Sequence, residues 1–192
     1  MESRFRPDES LRLITSMIEK TRQGISDKSQ YFLIWGWGAF LACVAQFVLK
    51  VVVQYPYHYL VWWVTVPCVI LTIITAKRNK RNERVKTFVG ETMTELWTAL
   101  GITFFVMSMI FIKFGWQYCY PFFILLYGLG TYLSGRILRF TPLVIGGIIC
   151  WILASICAWM EYDYQILFTA SALLVSYIIP GHLLREKFKN QI

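Results

Sequence analysis

The chain has 192 residues, of which 57% are apolar, 17% aromatic and only 16% charged, and nineteen Lys and Arg outweigh eleven Asp and Glu for a net charge of +8. That balance excludes an ordinary soluble domain, whose surface needs more polar cover. The charges fall in short blocks separated by apolar runs of about 15 to 23 residues, long enough for a hydrocarbon core of roughly 30 Å, and this predicts a polytopic membrane protein.

The first thirty residues carry eleven charges and no apolar run, so no secretory signal peptide is expected and the mature chain is expected to start at Met1. Residues 1–29 read as a cytoplasmic N-terminal segment. At 100° per residue, Leu11, Leu13, Ile14, Met17, Ile18 and Ile25 share one arc, while Arg12, Glu19, Lys20 and Arg22 share the other. Pro7 and Asp8 suit a first turn and Gly24 a terminator, which predicts an amphipathic helix. Its apolar face needs cover from the bilayer surface, from the protein's own loops or from a partner. Leu11, Ile14, Met17 and Ile18 are the candidate docking residues.

Residues 30–180 form the predicted transmembrane domain. Six helical spans are expected at about 31–53, 59–76, 96–114, 119–133, 143–160 and 164–179, helical because lipid offers no water to an open backbone. The predicted fold class is therefore all-α, a six-helix membrane bundle. The N-terminal segment, the 77–86 connection, Arg136 with Arg139, and the basic tail 181–192 together hold seventeen basic residues, against Lys50 and Lys113 on the other side. The positive-inside rule places that basic side, and both termini, in the cytoplasm of the bacterial inner membrane. Tyr55, Tyr57, Tyr59, Trp62, Trp63, Trp116, Tyr118, Tyr120, Trp159, Tyr162 and Tyr164 mark the opposite interface, where amphipathic rings prefer to lie. The outer turns are very short, so consecutive spans are expected to pair as three antiparallel hairpins, and the small residues recurring near the cytoplasmic ends raise a triplicated repeat as one alternative.

Within the connection, AKRNKRNERVK at 76–86 holds Lys77, Arg78, Lys80, Arg81, Arg84 and Lys86. It lacks the interleaved aromatics of a single-strand nucleic-acid surface, so its expected roles are topology and contact with anionic headgroups, and no nucleic-acid partner is expected. The five cysteines stand in or beside apolar runs without a Cys-x-x-Cys pair and read as packing thiols.

Candidate chemistry is sparse. All eleven carboxylates lie outside the apolar runs, which counts against an ion-driven carrier with a midplane acid. His58 and His182 fall at opposite membrane faces and do not ligate one metal or haem within a single chain, so neither metal nor cofactor is expected. No nucleophile elbow, zinc-helix motif, paired acid or phosphate-binding loop occurs, and no catalytic residue is assigned. Small residues recur at helical spacing: Gly38, Ala42 and Gln46; Gly130 and Ser134; Gly146, Cys150, Ala154 and Ala158. Such ladders serve helix packing within one chain or between copies, so a homo-oligomer stands as an alternative. Gln46 is the most polar side chain at membrane depth and needs partners, either an interhelical hydrogen bond or a cavity bounded with Pro67, Gly128 and Gly130, residues that can kink their helices.

The runs ESLRLITSMIEK, YFLIWGWGAF, ERVKTFVG, YGLGTYLSGRILRFTPLVIGGIICWILA and SYIIPGHLLREKF together resemble a family of small six-span integral membrane proteins of Bacteroidetes-type bacteria. The resemblance spans essentially the whole chain and is most specific in the Gly-rich segment before and within the fifth span. It implies location and architecture and carries no catalytic residues. It also implies a neighbouring winged-helix transcriptional regulator, for which the N-terminal helix is a docking element. The expected function is a non-enzymatic regulatory or interaction protein. The alternatives are a small transporter or channel built from hairpins, and a lipid-acting enzyme using interfacial Arg136, Arg139 and His182.

Overall fold

The computed structural model describes residues 29–82 and 88–189, with side chains except at 79–82 and 188–189. The N-terminal docking residues, together with Arg84 and Lys86, lie outside the described residues. Among the described residues the fold is all-helical. Helix α1 is Ser29–Val52, closing in a π turn at Val48–Val52. Helix α2 starts as a 3-10 helix, His58–Val64, and continues as Thr65–Asn82. Helix α3 is Phe88–Phe114, α4 is Cys119–Ile137 and α5 is Thr141–Cys157. Helix α6 runs through Tyr162–Leu173, a π segment Leu174–Ile178 and Ile179–Lys189.

Helix ends differ from the apolar runs that announce them. Helix α3 begins eight residues before the expected 96, taking in Glu91 and Glu95, because a helical backbone keeps its hydrogen bonds on leaving lipid. Helix α6 continues past Pro180, which has no N–H to donate and whose ring crowds the carbonyl four residues back. The wider π segment ending two residues before it opens the backbone at Ser176, where that carbonyl lies.

Four stretches, Ser29–Val52, His58–Arg78, Phe88–Phe114 and Tyr162–Lys187, are long and apolar enough to cross a bilayer, and they mark the protein as membrane-embedded. Helix α5 is shorter, at 17 residues. Helix α4 has 19 residues, and Gly128, Gly130, Ser134, Gly135 and Arg136 dilute its apolar character.

The tightest pairing joins α4 to α5, which the sequence reading assigns to different hairpins. A methyl built on Gly135 would lie 2.6 Å from the Val144 nitrogen, and one on Gly147 2.7 Å from the Tyr132 nitrogen. These contacts advance in opposite directions along the two chains, so the helices run antiparallel with backbones nearly touching. Only glycine permits that approach, and in lipid close packing of this kind replaces the hydrophobic effect as the force between helices. Helix α6 closes over the pair, with Ser176 against Gly146 and the Cys150 thiol donating to the Ala172 carbonyl at 3.7 Å. Helix α1 then packs on α6, Gly36 against Tyr177 and Leu33 against Gly181. Phe32, Trp97, Tyr127 and Tyr177 join α1, α3, α4 and α6 in a ring cluster with centroids 5.5 to 5.9 Å apart.

Helices α2 and α3 pack on the outside of this assembly, α3 reaching it through Trp97, with only 6% and 11% of their apolar stretches buried. Most of the large side chains they turn outward are aliphatic or aromatic, among them Ile70, Ile74, Ile102 and Phe105. Hydroxyls on α3 do not break this face, because Thr94, Thr98 and Thr103 each donate to the carbonyl four residues back at 2.7 to 2.9 Å. A hydroxyl paired in that way needs no water.

Candidate functional site

At the end of the bundle rich in Tyr and Trp, four helices meet around one amide. Gln46 stands on α1, one turn beyond Ala42 and one turn before Lys50, and is 1% exposed. An amide has two acceptor sites and two donor hydrogens, and burial in hydrocarbon demands that all be used. The Trp62 indole of α2 donates to Gln46 Oε1 at 2.7 Å, and the Tyr120 hydroxyl of α4 donates to the same oxygen at 2.6 Å. Indole N–H only donates, which fixes the orientation of the amide and points Nε2 the other way. That nitrogen lies 3.4 Å from the Tyr162 hydroxyl of α6 and 3.4 Å from His58 Nδ1 at the start of α2. Since the amide nitrogen only donates, both act as acceptors, and His58 carries its proton on Nε2.

Above the amide lies a charge pair. Lys50 reaches Asp163 of α6 in an ion pair, and its Nζ sits 4.2 Å from the centre of the Tyr162 ring. The cation is thus held by a carboxylate and by the negative face of a ring. Their side chains remain 27% and 43% exposed, so this part of the site faces solvent or the headgroup layer while Gln46 is sealed below it. The Tyr120 and Tyr162 rings lie 5.5 Å apart and complete the seal. Chemically the arrangement fastens helix ends and offers a neutralised charge pair at its mouth. Among the described residues no group of His, Cys, Asp or Glu is placed to hold a metal ion.

Of the residues named from sequence as a cavity or packing set, the structure puts Gln46 at the hub and the others elsewhere. Pro67 is exposed on α2, just after its 3-10 segment gives way to α-helix, and does not approach the Gln46 cluster. Gly128 faces Trp151 of α5, where a methyl would lie 2.8 Å from Cδ1, and Gly130 faces Leu100 and Trp97 of α3. Lys77 and Arg78 are exposed near the end of α2, and the backbone carrying Lys80 and Arg81 continues the same helix. Arg136 and Arg139 are exposed at the end of α4, and His182 is exposed with its ring edge to Trp37, 6.4 Å between centroids. All five cysteines are unpaired by disulfide and buried at helix contacts.

The sequence places His58, Trp62, Tyr120 and Tyr162 in a general aromatic belt and misses their convergence. The signal was the amide itself, which needs two donors and two acceptors at its own depth. Lys50, one helical turn from Gln46, pointed to the same face. No protein family, curated protein or solved structure matches the chain.

Proposed function

We propose that the protein is a non-enzymatic regulatory or interaction module of the bacterial cytoplasmic membrane, crossing it six times as three hairpins with both ends in the cytoplasm. The six-span reading is supported by contacts that advance in opposite directions within each of the three expected hairpins. Trp35 meets Thr72 and Gln46 meets Trp62; Phe104 meets Tyr127 and Phe111 meets Phe122; Cys150 meets Ala172 and Cys157 meets Gln165. At 1.5 Å per residue, α4 and α5 span roughly 28 and 26 Å, near the thickness of a hydrocarbon core. The orientation rests on the clustering of basic residues, whose 77–86 run also contributes about 1 kcal/mol per residue through anionic headgroups.

The single observation that carries the regulatory reading is the position of α1. It directly follows the N-terminal segment bearing Leu11, Ile14, Met17 and Ile18, and at its far end it supplies Gln46 and Lys50 to the polar cluster. A rod held at one end by the Gln46 cluster and its ion pair, and joined at the other to a partner-binding segment, transmits movement between membrane faces. The π turn at Val48–Val52 gives α1 a place to change register. The partner expected is a cytoplasmic protein taking the apolar arc of residues 11–25.

Deleting residues 1–25 tests this reading. The truncated protein is expected to keep its thermal stability in detergent and to lose a cytoplasmic protein that cross-links to the full chain. In the full chain, Lys50→Ala is expected to change maleimide labelling of Met17→Cys. Retained cross-linking and unchanged labelling would contradict the reading. A small carrier is the second reading, favoured by π segments in both α1 and α6, two of the four helices that meet at the cluster. Solute flux in proteoliposomes would establish it over the first.

A further inference from the structure

At the aromatic end, between α4 and α5, lies a groove of about 280 Å³ that reaches α6 at its base. Tyr118, Phe122 and Leu125 form one wall, a stripe of roughly 10 Å at 1.5 Å per residue. Ala154 and Ala158 form the other and create the space by being small. The volume falls just below the roughly 300 Å³ at which drug-sized ligand pockets begin, which suits a single chain and not a bulky solute.

Of the polar residues lining the groove, Ser155 is satisfied by donating to the Trp151 carbonyl at 2.9 Å, whereas the amide of Gln165 is incomplete. Its side chain is 6% exposed, and Nε2 donates to the Met160 carbonyl at 2.9 Å. A carbonyl only accepts, so this bond fixes the amide and turns Oε1 away from it. That oxygen is fully buried and has no hydrogen-bond partner in the protein. A buried acceptor left in this state is rare and asks for a donor from outside the chain. Exposed Tyr118 in the groove wall, and exposed Trp159 and Tyr164 next in sequence to Ala158 and Gln165 of its lining, put the groove at interfacial depth. One helical turn from Gln165 stands the exposed carboxylate of Glu161, while Lys50 at the same end is engaged by Asp163.

We propose that this groove binds a membrane phospholipid with a primary-amine headgroup, one acyl segment lying along Phe122 and Leu125 and the ammonium donating to Gln165 Oε1 once a shift of that side chain opens the sealed oxygen to the groove. A primary ammonium carries three N–H donors and a positive charge, matching Oε1 and Glu161 together. A quaternary ammonium has the charge and no donor, and a glycerol headgroup has donors beneath a net negative phosphate. The site goes beyond the regulatory reading and does not depend on it.

Native mass spectrometry of the full chain in detergent tests the proposal, titrating phosphatidylethanolamine, phosphatidylcholine and phosphatidylglycerol with identical chains. One hydrogen bond to a buried acceptor predicts that the ethanolamine lipid binds about five-fold or more tightly than the other two. Gln165→Leu is expected to erase that preference, and Gln165→Glu to keep it. Ala158→Phe fills the groove without touching the amide and is expected to remove tight binding while circular dichroism stays unchanged. Equal binding of the three lipids by the unmodified chain, tighter binding of the glycerol lipid, or full binding by Ala158→Phe would overturn the assignment.

Discussion

Helices α2 and α3 are long and apolar throughout, yet they bury only 6% and 11% of those stretches, whereas α4, interrupted by three glycines, a threonine and a serine, is buried along one whole side. In water the order would be reversed, because the most apolar segments would form the core. In lipid, apolar surface has no reason to leave its surroundings, and helices associate where small residues let backbones touch or where polar groups need partners. Hydropathy in this molecule therefore reports contact with lipid, and glycine and serine report the core.

That contrast sets the order of mutational effects. The largest belongs to Gly147→Val on α5, whose new side chain would meet Tyr132 and Gly128 backbone that has no room to yield. A loss of about 3 kcal/mol is expected, read as a lowered midpoint of unfolding in mixed micelles. Next is Gln46→Leu, which leaves the Trp62 N–H without its acceptor and the Tyr120 O–H with only the Tyr162 hydroxyl beside it in a sealed site. About 2 kcal/mol is expected, together with a shift in Trp fluorescence, and an unchanged midpoint would mean that water or lipid takes over those donors.

The polar contacts also show how much of the molecule was legible in its residues. The helices, their short connections at the aromatic end and the need of Gln46 for partners all follow from local pattern and from the chemistry of an amide. The identity of the partners does not, because Tyr120 and Tyr162 lie 74 and 116 residues away and resemble every other interfacial tyrosine. The central place of α4 was obscured for a related reason: its glycines and serine read as packing positions without saying which neighbour they pack on. The π segments leave no mark in composition, although Pro180, two residues after the second of them, gives it a physical cause.

The ion pair should matter less than its position suggests. Lys50 and Asp163 are partly exposed, so solvent screens their attraction, and Lys50→Ala is expected to cost about 0.5 kcal/mol. A double-mutant cycle with Asp163→Ala checks this, and a coupling several times larger would show the pair to be shielded in the membrane. The smallest effect belongs to the outer helices: Ile102→Ala on α3 should change stability by less than about 0.5 kcal/mol, against about 2 kcal/mol or more for Ile124→Ala, whose side chain is wholly enclosed.

Photolabelling from the lipid phase tests the inside-out arrangement most directly. With a membrane-soluble carbene precursor in proteoliposomes, peptides covering Val66 to Ile74 and Ile102 to Ile112 should label heavily, while Ile124, Gly128, Thr131 and Gly135 on the inner side of α4 stay unlabelled. Protection of the α2 and α3 peptides with labelling along that side of α4 would contradict the account.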